Sequence, residues 1–247
     1  MTTWEAIEQR ISCRAYDEAA LSAEEQETIQ KLIQSICAES GLHFLFCDDT
    51  VPGQKVKMSN MFSGSIHNFA ALYAKDDPLE AEKLGYYGQK LMMELTKMGL
   101  GTCWVASTYD AASISLPAPE GELLWDIMPF GHPAKKMPVK QRTVRAGLRQ
   151  RDRKLSEFVE SDLPFDELPD WIRKGAEAIL LGPSAVNEQA INLVWKDNTL
   201  TAYIYKEDRK VVYNDLGIAK YMFVLGAAEC GVTGNWDWGN GGAFHLV

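Results

Sequence analysis

The sequence lacks any apolar run that could cross a lipid bilayer. Its most hydrophobic stretch extends only from Tyr221 to Ala228, whereas a membrane-spanning helix needs about 20 apolar residues. The first residues, Met1 to Glu5, also lack the apolar core of a secretory signal peptide. We therefore expect a cytoplasmic protein with no membrane partner.

An excess of positive charge is also missing. Lysine and arginine total 25 and aspartate and glutamate total 34, which gives a net charge of -9. This sign opposes general binding to nucleic acid or to an anionic membrane. We expect no nucleic-acid partner, although a local basic pocket for one phosphate is compatible with the charge.

Cysteine and histidine are scarce, with five and four residues respectively. The cysteine number is odd and no C-x-x-C pair occurs, which favours free thiols in a reducing compartment. No Ser-His-Asp pattern and no metal-ligand spacing is present. The sequence therefore predicts neither a metal site nor a protein residue that acts as catalytic acid, base or nucleophile.

What the sequence does contain is enough apolar residues for a sizeable core. It has 247 residues, 46% of them hydrophobic, which suits one large domain or two small ones. Apolar periodicity and turn residues predict helices over 4–11, 22–40, 80–98, 171–181 and 215–230, and strands over 42–47, 69–74, 123–130, 190–195 and 200–205.

A short basic segment near the start is a candidate phosphate site. Arg10 and Arg14 lie four residues apart, and Ser12 stands between them. Two forked guanidiniums and a hydroxyl match the oxygens of a phosphate group if they converge. The alternative is two solvated surface arginines, which are common in soluble proteins.

Two further stretches could join such a site. The glycine-rich turn from Gly99 to Ser107 leads into a strand, where the backbone can approach a flat ligand or a packed neighbour. Residues 135–154 are strongly basic and end with Arg151, Arg153 and Lys154. We interpret most of these charges as a solvated linker, from which one or two could reach a phosphate.

The stretch from Gly182 to Gln189 follows an apolar helix that Gly182 and Pro183 end. Ser184 and Asn187 then offer two short polar groups three residues apart. Such groups can bond a planar heterocycle. The alternative is a helix restart with Ser184 as its N-cap.

The two halves of the chain resemble each other. Gly85 and Gly217, each interpreted as opening a helix, are separated by 132 residues, and the same offset relates Gly99 to Gly231 and Trp104 to Trp236. This pattern predicts two tandem repeats, over 1–158 and 159–247, packed as one globular unit. The first repeat carries the arginine cluster and the second carries the serine and asparagine, so one intact site would combine residues of both.

Taken together, these segments resemble the nitroreductase family of FMN-dependent oxidoreductases. The resemblance rests on Arg10–Arg14 with Tyr16, on Gly85–Trp104, on Arg153–Leu155 and on Gly182–Gln189, and it covers nearly the whole chain. It is strongest to the branch in which two repeats in one chain imitate the family's homodimer. It implies an α+β, nitroreductase-like fold and a pseudo-dimer that can remain monomeric.

The resemblance also implies which residues bind FMN. Arg10 and Ser12 would hold its phosphate and ribityl end, and Arg14 would lie near the N1 edge of the ring. The full set that it implies is Arg10, Ser12, Arg14, Trp104, Val105, Ala106, Ser107, Arg153, Lys154, Pro183, Ser184, Asn187 and Gln189. Within this set, the backbone of 105–107 would run along the ring near N5, and Arg153 and Lys154 would add to the phosphate clamp.

The activity implied by the resemblance is ping-pong hydride transfer. NAD(P)H would reduce the flavin at N5, and a nitroaromatic, a quinone or a related small aromatic acceptor would reoxidise it. The family usually has Gln-Pro-Trp where this chain has Gln189-Ala190-Ile191. Two alternatives follow, namely a non-catalytic flavin-binding or sensory protein with an occluded pocket, and a scaffold that binds no flavin.

Overall fold

The computed structural model describes residues 1–149, 153–207 and 210–247. The chain divides into two compact units. The first contains Met1 and residues 9–76 and 91–147, and the second contains residues 2–8, 77–90 and 148–247. These units are not contiguous in sequence, unlike the repeats predicted over 1–158 and 159–247, because the helix Pro78–Lys97 belongs to the second unit up to Lys90 and to the first unit from Leu91.

Six α-helices lie in the described part of the chain: α1 (Thr3–Gln9), α2 (Ala23–Ser40), α3 (Pro78–Lys97), α4 (Val139–Arg149), α5 (Asp170–Leu181) and α6 (Val212–Ala228). Five of them, all except α4, confirm the helices that we predicted from apolar periodicity. Helix α4 lies in the basic segment that we interpreted as a linker, and that interpretation was wrong because arginine, lysine and glutamine are good helix formers. Arg151, from the same segment, lies outside the described residues.

Helix α2 shows how local sequence sets helix ends. The Ser22 hydroxyl accepts a hydrogen bond from the Glu25 amide at 3.2 Å, and the Glu25 carboxylate accepts one from the Ser22 amide at 2.7 Å. This capping box satisfies two amides that the first helical turn leaves without partners. Gly41 ends the helix with a φ of +74°, a conformation that costs glycine little.

The first unit is built on a four-stranded antiparallel sheet in the order β1-β3-β6-β4. Its strands are β1 (His43–Asp48), β3 (Asn68–Ala74), β4 (Gly101–Thr102) and β6 (Leu123–Gly131), and the separate strands β2 (Lys57–Met58) and β5 (Tyr109–Asp110) pair with each other. Every residue of β3 is buried, as expected for a central strand covered on both faces. The apolar core of this unit lies against β3 and includes Phe69, Tyr73 and Ile127.

The second unit has a five-stranded sheet in the order β10-β11-β9-β8-β7. Its strands are β7 (Val159–Ser161), β8 (Ile191–Lys196), β9 (Thr199–Ile204), β10 (Gly234–Trp236) and β11 (Ala243–Leu246). The strands predicted over 190–195 and 200–205 are confirmed as β8 and β9, which form a hairpin with Asp197 and Asn198 both at positive φ in its two-residue turn. The glycine-rich end, for which the sequence predicted no element, forms the hairpin of β10 and β11.

Gly85 and Gly217 lie inside α3 and α6, not at their beginnings as we had interpreted them. A Cβ at Gly217 would lie 1.8 Å from the Glu82 carbonyl oxygen, and one at Gly85 would lie 2.0 Å from the Asn214 carbonyl oxygen. The two glycines therefore allow the helix backbones to touch. No helix among the described residues is both long and apolar enough to span a membrane.

Candidate functional site

The N-terminal arginine segment lies beside β4 in the first unit. Ser12 forms a parallel bridge with Thr102, and the Cys13 amide donates to the Thr102 carbonyl at 2.8 Å. The buried Tyr16 side chain anchors the same segment. Its hydroxyl lies 3.0 Å from the Cys13 carbonyl oxygen and 3.1 Å from the Pro129 carbonyl oxygen. Burial raises the pKa of Tyr16 well above its ordinary value, so it stays a neutral donor.

Arg10, Ser12 and Arg14 all affect the pKa of the thiol of Cys103, which follows Thr102. Burial raises the pKa of the Cys103 thiol, while the charges of Arg14 and Arg10 and a hydrogen bond with Ser12 act in the opposite direction. The bridge from Ser12 to Thr102 sets the segment that contains Arg10, Ser12 and Arg14 beside the strand that precedes residues 104–107. That these three side chains bind a phosphate stays a prediction.

The segment from Trp104 to Ser107 emerges from the core. Val105 is buried and exchanges two backbone hydrogen bonds with Ile127, each of 3.0 Å. Ala106 and Ser107 are exposed, and within the described residues their amides donate no hydrogen bond to the protein. Two backbone donors are therefore available to a ligand, next to the arginine cluster of the same unit.

In the second unit, the loop from Pro183 to Gln189 has an unusual backbone. Val186, Asn187 and Gln189 have φ values of 48°, 57° and 51°, although residues other than glycine seldom adopt this left-handed region. The Ser184 hydroxyl accepts from the Gln189 amide at 3.0 Å and makes no side-chain cap bond to the short 3₁₀ turn Ala185–Asn187. Ser184 therefore stabilises the far end of the loop and does not begin an α-helix.

Arg153 holds this loop through a dense set of contacts in the second unit. Its Nη1 donates to the carbonyl oxygens of Gln189 at 2.9 Å and Ile191 at 3.1 Å, and its Nη2 donates to Asn192 Oδ1 at 2.8 Å and to the Glu157 carbonyl. The Arg153 amide also donates to Gln189 Oε1 at 2.9 Å. Both Nη atoms are thus engaged with protein acceptors, whereas the neighbouring Lys154 is exposed.

A match to a family model covers residues 2–227, and the family is described as "Putative TM nitroreductase". The chain belongs to this nitroreductase family. A nitroreductase structure from Thermotoga maritima is similar over 100% of this chain and 94% of its own, with 23% identity and a TM-score of 0.67. This likeness establishes the nitroreductase fold, as the sequence predicted.

Two other nitroreductase structures are less similar. A family protein from Clostridium difficile 630 has 17% identity and a TM-score of 0.48, covering 66% of this chain and 99% of its own. A nitroreductase in complex with FMN from Desulfovibrio desulfuricans has 15% identity and a TM-score of 0.41, covering 57% of this chain and 95% of its own. No curated protein matches the chain.

A feature of this nitroreductase that sequence reasoning missed is a buried ion pair in the second unit. Lys220 Nζ contacts Glu82 Oε1 and also donates to the carbonyl oxygens of Asp237 at 2.8 Å and Gly239 at 2.9 Å. Glu82 Oε2 accepts from the Gly239 amide at 2.6 Å. The available signal was Lys220 within the apolar run from Leu216 to Ala228 of helix α6, since a lysine is seldom fully buried without a partner.

This ion pair forms hydrogen bonds with the backbone of the segment in the second repeat that corresponds to 104–107. The repeat offset aligns Trp236–Gly239 with Trp104–Ser107. In the second repeat, the backbone groups of Asp237 and Gly239 are satisfied by Lys220 and Glu82. The two aligned segments therefore differ at Ser107 and Gly239, because the exposed Ser107 amide donates to none of the described residues and the Gly239 amide donates to Glu82.

Proposed function

We propose that this chain is an FMN-dependent oxidoreductase that moves a hydride from NAD(P)H to a nitroaromatic, a quinone or a related acceptor. The observation that carries the proposal is the backbone pairing of Ser12 and Cys13 with Thr102, which sets the segment of Arg10, Ser12 and Arg14 beside the strand that leads to the exposed residues 106–107 in the first unit. Membership of the nitroreductase family makes FMN the cofactor that this arrangement suits.

The residues of the first unit fit the chemistry of FMN. Two guanidiniums and a hydroxyl suit a phosphate dianion and the polar ribityl chain. The amides of Ala106 and Ser107 can donate to a polar ring edge. When bound, FMN would accept and then pass on the hydride, so that no protein acid, base or nucleophile is required for that chemistry.

Arg14 has the most specific role in this proposal. A fixed positive charge near the ring favours any state of the cofactor that carries added negative charge. Its carbonyl accepts a hydrogen bond from the Ser63 amide at 2.8 Å, which anchors its backbone in the first unit. Arg14 should therefore affect both how tightly FMN binds and how readily it is reduced.

The residues of the second unit enter the proposal with two different roles. Pro183, Ser184 and Asn187 remain predicted FMN contacts, on the family pattern. Arg153 is better assigned as a positioning residue, since its Nη donors bind protein oxygens and its guanidinium lies over the rings of Phe158 and Tyr205 at 4.4 and 4.6 Å. We propose that it holds the loop that contains Gln189 in place.

The visible spectrum of the purified protein tests the proposal first. We expect a flavin spectrum that NADH or NADPH bleaches, and steady NAD(P)H oxidation when menadione is supplied as acceptor. Bound flavin without turnover would instead support a binding or sensory role. A colourless protein that cannot be reconstituted with FMN would refute the flavin assignment and support a scaffold.

A further inference from the structure

An open pocket in the first unit is lined by none of the residues assigned to FMN. Its cavity volume is about 270 Å³, close to the lower end of the range for small-molecule sites, so it suits a small ligand. All its lining residues come from the segment between β1 and β3: Asp49, Lys55, Val56, Met58, Ser59, Phe62, Gly64, Ser65, Ile66 and His67.

The pocket segment is attached to the proposed cofactor site on both sides. The Ser59 amide donates to the Thr108 carbonyl at 3.0 Å, one residue beyond Ser107. The Ser63 amide donates to the Arg14 carbonyl at 2.8 Å. The same stretch of chain therefore borders both the arginine and the exposed backbone that we assign to FMN.

The polar groups of the pocket include one cation without an ion pair. His67 Nδ1 lies 3.0 Å from Asp49 Oδ2, and its Nε2 lies 3.6 Å from Glu18 Oε2, so the imidazole stands between two carboxylates. The Asp49 carboxylate therefore already has a partner within the pocket, namely the His67 ring. Lys55 is exposed and forms no ion pair with any residue that the structure describes.

The remaining lining is suited to a flat ring. Phe62 and Met58 are half-buried, and Val56 and Ile66 are almost fully buried beneath them. Aromatic and thioether groups of this kind favour contact with an aromatic ligand. An ammonium beside such a surface favours a ring that carries an anionic substituent.

We propose that this pocket binds the acceptor, and that the preferred acceptor is a planar aromatic compound that carries a carboxylate. Lys55 pairs with the carboxylate, and Phe62 and Met58 contact the ring. The assignment of this ligand as an acceptor rests on the proposed function, whereas the binding site itself does not.

The test compares 4-nitrobenzoate with its neutral isostere 4-nitrobenzamide. Binding of each compound to the full-length protein is measured by isothermal titration, and the KM of each is measured in NAD(P)H oxidation by the FMN-loaded protein. We expect the benzoate to bind about ten-fold more tightly than the amide. Lys55→Gln should bring this ratio close to one, because it removes the charge and keeps the length of the side chain.

Lys57→Gln is the matched control. Lys57 is an exposed lysine two residues away that does not line the pocket, so its variant should keep the ten-fold ratio. Circular dichroism should be the same for both variants. Equal binding of the two probes by the unaltered protein, or the same ratio in Lys55→Gln, would overturn the pocket assignment.

The two proposals can fail separately. If menadione supports NAD(P)H oxidation but the carboxylate gives no advantage, the pocket assignment is wrong and the oxidoreductase assignment stands. If 4-nitrobenzoate binds in a Lys55-dependent way while no acceptor is reduced, the anion site stands and the oxidoreductase assignment is wrong.

Discussion

Lys220 and Glu82 lie 138 residues apart in the sequence and form an ion pair in which neither side chain has any solvent exposure. Burial lowers the pKa of Lys220, and the charge of Glu82 opposes this effect. Three backbone groups of Asp237 and Gly239 complete the hydrogen bonds of the pair. The repeat places Gly88 and Asn214 at the equivalent positions, so the first repeat has no counterpart of this pair.

Breaking the pair from one side should be strongly destabilising. Lys220→Met leaves the Glu82 carboxylate buried without its cation, and we expect the free energy of unfolding to fall by about 3–5 kcal/mol. Urea denaturation measures this change. Lys83→Met is the control, because the Lys83–Glu80 pair is about one-third exposed and should contribute less than about 1 kcal/mol.

The double variant Lys220→Met with Glu82→Leu separates charge from packing. Replacing both charges by apolar groups should recover much of the lost stability, since no buried charge remains. A double variant as unstable as Lys220→Met would show that the shape of this region matters more than its charge balance.

The hydrogen bonds of Lys220 and Glu82 with the backbone of Asp237 and Gly239 also predict how many FMN molecules one chain binds. We expect one FMN per chain, because the Gly239 amide, which aligns with the Ser107 amide of the first repeat, already donates to the buried Glu82 carboxylate. Denaturing the purified protein and measuring the released flavin against the protein concentration gives this number. A value near two would contradict the prediction.

Arg14→Ala should weaken FMN binding and lower the reduction potential of the bound flavin. Loss of a charge-assisted hydrogen bond costs about 1.5–3 kcal/mol, which corresponds to a dissociation constant raised roughly 10- to 150-fold. Fluorescence titration of FMN and redox titration measure the two effects. Arg142→Ala removes an exposed arginine of α4 and should change neither; an unchanged affinity and potential in Arg14→Ala would remove Arg14 from its proposed role.

Arg153→Lys should loosen the loop of Pro183–Gln189 although it keeps the charge. A lysine cannot reproduce the planar fork that binds the carbonyl oxygens of Gln189 and Ile191, so we expect a loss of roughly 2 kcal/mol in stability. Hydrogen exchange should become faster at the Gln189 amide, which donates to Ser184. Lys154→Ala, at the exposed neighbouring position, should leave that exchange rate unaltered.

Stability should fall in alkaline solution partly because of Cys47. Burial raises the pKa of this thiol from 9.0 to about 12. Between these values the unfolded chain loses the proton and the folded chain keeps it, so the free energy of unfolding decreases as the pH rises from 9 to 12. At pH 10 the contribution of this thiol should amount to about 1.4 kcal/mol.

Urea denaturation at pH 7.5 and pH 10 checks this prediction. Cys47→Ala creates a small cavity at both pH values, but it should reduce the loss of stability between them. Cys230→Ala, at an exposed position, should not change that loss. An identical pH dependence in the Cys47→Ala variant and the unaltered protein would refute the role of this thiol.

Local sequence was enough to determine the helix caps and turns, which depend only on residues close together in the chain. The capping box of Ser22 and Glu25 and the turn of Asp197 and Asn198 each involve residues within three positions of one another, so their chemistry can be predicted from the sequence alone. The convergence of Arg10, Ser12 and Arg14 stays a prediction of the same kind, since the three lie within five consecutive residues.

Only the tertiary structure decided which distant groups meet. Gly85 and Gly217 looked like helix ends, and only the close approach of two helix backbones explains why a side chain cannot stand there. Arg153 was expected at a phosphate, yet its neighbours are carbonyl oxygens more than 30 residues away. A guanidinium binds the acceptors that the folded chain places within hydrogen-bond distance. Because these acceptors are distant in the sequence, no local sequence pattern specifies them.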